Sequence, residues 1–316
     1  RDVDAVVVST PDHWHALITM MACAAGKDVY VEKPLTLFVR EGRWMVQVAN
    51  RHKRIVQVGT QQRSGPHYWQ ARELLRSGRL GKIHAVRMAS FRNILPGFGS
   101  PPDADPPSEL DWDMLLGPAP YRKYNPNRGL YHFRWFWDYS GGQMTNLGAH
   151  SLDIAHWILD VKGPQTVSSA GGRFALQDNG ETPDTQDAIL EYPGWTAVWS
   201  HREACAGRPG AAGLEFFGTH GSLTLSRGGF ELFPDRKIYP ANAIPRFTGP
   251  HPAGGPVSIP QSGPPEFWAK PEKSAPLTPD QDQFKLHVRN FLDCIKSRKQ
   301  PNSDLESSHQ VTTACH

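Results

Sequence analysis

The chain has 316 residues, 39% apolar and 21% charged, with a net charge of +3. That length can bury one or two full cores, and the composition is that of a globular protein. No run of five like charges occurs and no apolar stretch approaches the roughly 18 residues of a membrane span, which argues against nucleic acid or a membrane as partner.

The chain opens with Arg1 rather than Met and enters a strand within three residues. It stops at Thr313-Ala314-Cys315-His316, inside a helical pattern. Neither end reads as a domain boundary, so the expectation is a piece cut at both ends, with any targeting signal outside it. Residues 4–9 are strand-like, Asp12 is placed to cap a helix over 13–25, and Gly26 to stop it. Residues 28–31 form a second strand, 38–51 a helix and 54–59 a third strand. This alternation predicts a parallel sheet with right-handed crossovers. A helix over about 66–77 is broken by Gly78 and Gly81, and 82–93 alternates as a strand.

Residues 95–130 are rich in Pro, Gly and Asp and read as long surface loops. The aromatic run 131–139 precedes a helix over 141–159. Short strands at 164–173, 186–192, 195–203, 213–219 and 221–226 predict a mostly antiparallel sheet. Residues 240–279 carry many prolines and read as extended. Residues 280–297 are helical, and Pro301 precedes a last helix. Cys23, Cys205, Cys294 and Cys315 lie far apart with no C-x-x-C pair. Neither a zinc site nor a disulfide framework is expected, and no other metal site is predicted.

Four places carry side chains suited to chemistry. Ser9, Thr10 and Pro11 end the first strand, with His13 and His15 just beyond. Small hydroxyls there let a nucleotide approach the backbone closely; the plainer alternative is a strand-to-helix turn. Glu32-Lys33-Pro34 ends the second strand, on the edge where doubly wound sheets bind ligands. Desolvation or a nearby cation would lower the pKa of Lys33 and suit it to pass a hydroxyl proton, with Glu32 orienting it. The alternative is a surface lysine. On the helix over 141–159, Asn146, His150, Asp153 and Trp157 share one face beside apolar Leu147, Ile154 and Ile158. Such a stripe suits a cleft-lining helix or a solvated amphipathic one. Finally, Arg63 with Trp135, Trp137 and Tyr139 can hold a polyol by hydrogen bonds and stacking, although at least two of these aromatics are expected in a core.

Taken in order, Ser-Thr-Pro with a downstream His, Glu-Lys-Pro, Gly-x-x-x-Arg and Gly-Gly-x-x-x-x-x-Gly-x-His-x-x-Asp resemble the Gfo/Idh/MocA family of dehydrogenases. So does the Trp-Asp-Tyr-Ser-Gly-Gly lead-in, and the resemblance spans essentially the whole chain. It implies an α/β fold. Residues 1–80 would form a partial Rossmann domain, a doubly wound parallel sheet lacking its first strands. Residues 81–279 would form an α+β C-terminal domain with a large, mostly antiparallel open sheet. Residues 280–316 would be helices packing back on the first domain.

The resemblance implies an oxidoreductase moving hydride between a nicotinamide cofactor, NAD or NADP, and a secondary hydroxyl of a sugar, sugar acid or cyclitol. Ser9, Thr10, Pro11, His13, His15, Glu32, Lys33, Pro34 and Gln61 would approach the cofactor. Lys33, His150 and Asn146 would act at the reacting hydroxyl, and Arg63, Trp135, Trp137, Tyr139 and Asp153 on the substrate. A homo-oligomer, dimer or tetramer, is implied through open faces of the sheet. The compartment stays open between cytoplasm and, through a twin-arginine signal outside the sequence, periplasm.

Two departures stand out. No G-x-G-x-x-G occurs, and the strand at 4–9 resembles the family's fourth. Weak or absent NAD(P) binding by these 316 residues is the expectation. Position 146 is Asn where many members carry Asp, and an amide cannot act as a base. Two other functions remain open: redox-neutral cleavage of a glycosidic bond through transient oxidation, and a cofactor-free sugar-binding or structural protein.

Overall fold

The computed structural model describes residues 2–237 and 266–316, and two sheets organise them. In the smaller, β1 (Ala5–Val8), β2 (Asp28–Val31) and β3 (Val56–Val58) run parallel in that order. They are joined by α1 (Asp12–Ala24) and α2 (Val39–Arg51). All four residues of β2 are buried, as a central parallel strand covered on both faces requires. β1 forms an edge, with Val7 69% exposed. Then α3 (Pro66–Arg76) begins on proline, whose missing N–H is no loss in a first turn, and stops before Gly78 at φ +78°.

β4 (Ile83–Asn93) enters the second sheet. Short α4 (Trp112–Leu116) and α5 (Ala149–Leu159) follow it. The remaining strands are β5 (Thr166–Gly172), β6 (Thr185–Tyr192), β7 (Trp195–Arg202), β8 (Ala204–Cys205), β9 (Gly213–Gly218), β10 (Gly221–Ser226), β11 (Gly229–Pro234) and β12 (Glu272–Lys273). Their order is β12-β11-β10-β9-β4-β7-β6-β5, with β8 beside β4. The pairs are antiparallel except β4 with β7, which align from Ala85 opposite Thr196 to Phe91 opposite Arg202. Alternation sends Leu190 and Tyr192 of β6 and Trp199 of β7 into one core with Tyr68 and Leu75 of α3 and Leu152 and Ile154 of α5. Val167, Ile189 and Phe233 remain exposed.

The fold class is the one expected, an α/β chain with a parallel sheet and a large mixed sheet. Three local expectations are corrected. The loop stretch 95–130 contains α4, capped by Asp111, whose carboxylate accepts from Met114 N at 2.9 Å. Strands β8, β11 and β12 go beyond those expected; two are only two residues long, and β11 follows the loop-like Arg227-Gly228 turn. The helix over 141–159 is not uniform. Gly142 sits at φ +68°, and a wide π-helical turn, Met144–Gly148, precedes α5. Gly148 lets this segment lie against the Trp199 ring, where a Cβ would come within 3.3 Å. Of the expected extended segment 240–279, residues 240–265 lie outside the described residues.

α6 (Gln283–Ser297) and α7 (Leu305–Cys315) lie against the small sheet. Ser303 O, just before α7, accepts from Val58 N at 3.0 Å, and Gln57 Nε2 donates to His287 O of α6 at 2.8 Å. Arg298, at the end of α6, grips the buried Asp28 carboxylate at 2.7 and 3.0 Å.

The strongest tie is Arg63, past the end of β3. Its Nε and Nη2 meet both Asp153 oxygens of α5 at 2.9 and 2.7 Å, and its Nη1 reaches Ser307 Oγ of α7 at 2.9 Å. The two side chains are 3% and 1% exposed. Removing one member strands a buried charge. Asp153→Ala is therefore expected to lose about 3–5 kcal/mol of stability in urea denaturation; a loss under about 1 kcal/mol, as exposed pairs show, would contradict that.

Candidate active site at the edge of the parallel sheet

β1 and β2 end side by side. The residues after them line a cavity of about 220 Å³: Ser9 and Thr10 after β1, Glu32 and Lys33 after β2. Asp12 and His15 of α1, Asn146 of the π turn, and Phe133 and Arg134 complete it. A larger hollow of about 630 Å³ lies beside the end of α7. Chemistry rather than size selects the smaller one, because it joins a half-buried amine to the buried Asp12 carboxyl group and the half-buried Glu32 one.

Lys33 Nζ donates to the backbone oxygen of Asn146 and to its Oδ1, both at 2.7 Å. Burial pushes its pKa down to about 8; Asp12 and Glu32 oppose the fall, and Arg134 and Arg227 add to it. His150 lies in reach of the same charge. Burial, then Lys33 and Arg227, hold it well below the ordinary imidazole range, so the ring is neutral. His150 Nδ1 has no hydrogen-bond partner among the described residues.

Both carboxyl groups are pushed up by burial. For Glu32 the Lys33 charge opposes this, and Gln61 Nε2 holds its Oε1 at 3.0 Å. Gly59 is needed beside it, since a Cβ there would sit 2.6 Å from the carboxylate oxygens. For Asp12 the chief opposing influence is His15, and Ser140 Oγ donates to it at 2.5 Å. The expected cap role of Asp12 is thus corrected: Pro11 takes the N-cap position, and the Asp12 side chain turns into the cavity. His15 ties the two strand ends together, its Nδ1 2.7 Å from Pro34 O and its Nε2 2.9 Å from Thr10 O.

Ser9, Thr10, His15, Glu32, Lys33 and Asn146 are thus brought together. Pro11, His13, Pro34 and Gln61 stand behind that lining; His13 Nε2 faces Leu115 O of α4 at 3.0 Å. The substrate set is corrected. Arg63 and Asp153 are consumed by their own ion pair. Trp135 and Tyr139 are core residues, and Trp135 Nε1 donates to Glu203 at 2.7 Å. Trp137 is 52% exposed, and none of these five lines the cavity. Sequence reasoning misses Asp12, Phe133 and Arg134. Asp12 reads equally well as a cap, and the other two sit inside an aromatic run that reads as core.

Residues 1–60 match the family model described as "Oxidoreductase family, NAD-binding Rossmann fold", and residues 91–172 the one described as "Oxidoreductase family, C-terminal alpha/beta domain". Both models are of Gfo/Idh/MocA oxidoreductase domains, and over those residues the chain is similar to that family. It is 34% identical to inositol 2-dehydrogenase of Rhizobium meliloti over 28% of this chain and 27% of that one. It is 29% identical to levoglucosan dehydrogenase of Pseudarthrobacter phenanthrenivorans over 71% and 56%. The chain thus spans about half the length of these curated relatives or less. A solved levoglucosan dehydrogenase in complex with NADH and levoglucosan superposes with a TM-score of 0.68 at 16% identity, covering 99% of this chain and 76% of the other. At that identity the likeness shows the fold.

Asp12 favours the charged form of Lys33. Asp12→Asn is therefore expected to lower the Lys33 midpoint further below about 8. Competitive acetylation across pH, read by mass spectrometry of the Lys33 peptide, measures it; a rise would contradict the assigned electrostatics.

Proposed function

We propose that this chain carries the acid–base site of an NAD(P)-dependent dehydrogenase acting on a secondary hydroxyl of a sugar, sugar acid or cyclitol. The observation that carries this reading is Lys33, a half-buried amine with its pKa near 8 at the carboxyl edge of a parallel sheet. The residues present fit the nicotinamide end of such a cofactor. Thr10 Oγ1 is buried without a partner among the described residues, and Ser9 and Glu32 line the same cavity. When bound, the dinucleotide supplies the two-electron acceptor.

The chain's own residues handle the hydroxyl proton. Neutral Lys33 Nζ accepts it in oxidation, and the ammonium returns it in reduction. A pKa near the working pH keeps both forms available. His150, outside the cavity lining but within electrostatic reach of Lys33, keeps its ring Nδ1 unpartnered among the described residues. Asn146 carries no exchangeable charge and holds the amine. The names of the relatives, inositol and levoglucosan dehydrogenases, support ring polyols as the substrate class.

The test is an assay of the full-length protein with inositols and levoglucosan and with NAD and NADP, following reduced cofactor. Oxidation is expected to rise with pH through about 8, because the acting form is the neutral amine. Lys33→Ala is expected to lose about 10²–10⁴-fold in kcat with little change in cofactor affinity. Unchanged turnover would remove Lys33 from the chemistry. Product formed without reduced cofactor would favour the redox-neutral route.

A further inference from the structure

A chain of hydrogen bonds leads away from Lys33, and its direction is fixed at both ends. Glu203, just past β7, is 1% exposed and takes three donors: the Arg92 guanidinium, with Nε at 3.0 Å, Trp135 Nε1 at 2.7 Å and Gln143 Nε2 at 3.0 Å. A carboxylate paired with a guanidinium only accepts. Gln143 must therefore turn its NH2 to Glu203, which leaves its Oε1 to accept from Asn146 Nδ2 at 3.1 Å. Asn146 then has only Oδ1 for Lys33 Nζ, at 2.7 Å.

We propose that Gln143 and Glu203 are positioning residues that lock the Asn146 amide with its oxygen toward Lys33 and so aim the amine's lone pair into the cavity. A neutral amine has two N–H bonds and one lone pair. Asn146 presents two acceptors, its backbone oxygen and Oδ1, each at 2.7 Å. Both N–H bonds are held there, and the lone pair is left on the opposite side. A reversed amide would place Nδ2 against Nζ, occupy the lone pair and disfavour the ammonium. Gln143 is 2% exposed, so its polar atoms have no outlet to solvent. An apolar side chain of similar shape would fill the space but set no direction.

The use of that lone pair rests on the proposed function. The test reads the amine itself, so the two can fail separately. Competitive acetylation by acetic anhydride across pH gives the midpoint and intrinsic reactivity of Lys33 in the full chain. The groups facing it are Asp12 of α1, Glu32 after β2, Arg134 of the turn before Phe136, Arg227 between β10 and β11, His150 of α5 and Cys315 of α7. All are kept in every variant. Gln143→Met frees the amide, and both the midpoint and the reactivity of Lys33 are expected to fall. In an Asn146→Ala background there is no side-chain amide to orient, so adding Gln143→Met is expected to change neither. The same response in both backgrounds, or none in the first, would overturn the proposal. If Gln143→Met does not fold, neutron diffraction of the unaltered chain decides: Asn146 Nδ2 hydrogens directed at Gln143 support the lock, and hydrogens directed at Lys33 refute it.

Discussion

One amine holds the site together. Lys33 reaches from the end of β2 to the π turn before α5, and its two bonds to Asn146 join the small sheet to the layer covering the large one. Each anchor is itself fixed. β2 is buried along its whole length, and the π turn lies against Trp199 at Gly148. The amine is held between two packed segments, and such positioning is what proton transfer over a hydrogen-bond distance requires.

A second cation spans the same gap and does a different job. Arg63 meets Asp153, seven residues beyond Asn146, in a bidentate buried pair, and its Nη1 reaches Asn302 O and Ser307 Oγ. Four of its five N–H donors are taken by protein, two of them by a buried carboxylate. Lys33 has two of three donors filled when charged, and it borders a cavity. A buried ion pair and a place outside the cavity lining separate the clasp from the reactive group, although both are cations facing one helical segment.

The same distinction explains what was legible in the sequence. The three parallel strands and their helices could be read because apolar runs end in Pro or Gly. Lys33, Thr10 and Asn146 could be read because polar residues at strand ends and along a helix face have few structural uses. Arg63 and Asp153 could not be assigned, since their spacing of 90 residues gives no sign that they meet. The π turn has no composition signal of its own. The aromatic run was ambiguous by nature: Trp135 and Tyr139 fill a core while Phe133 and Arg134, within the same nine residues, border the cavity.

The amide at position 146 suits the charges already present. Asp12 and Glu32 both favour the ammonium form of Lys33, and burial outweighs them. A carboxylate at 146, in contact with Nζ, would add a third and closer negative charge and drive the pKa back up. Neutral amine would then be scarce near neutral pH. An amide supplies the same acceptor geometry without that charge, but an amide has two faces and must be told which to present. The buried Glu203 carboxylate, two amides away and neutralised by Arg92, gives that direction without adding a bare charge beside the amine.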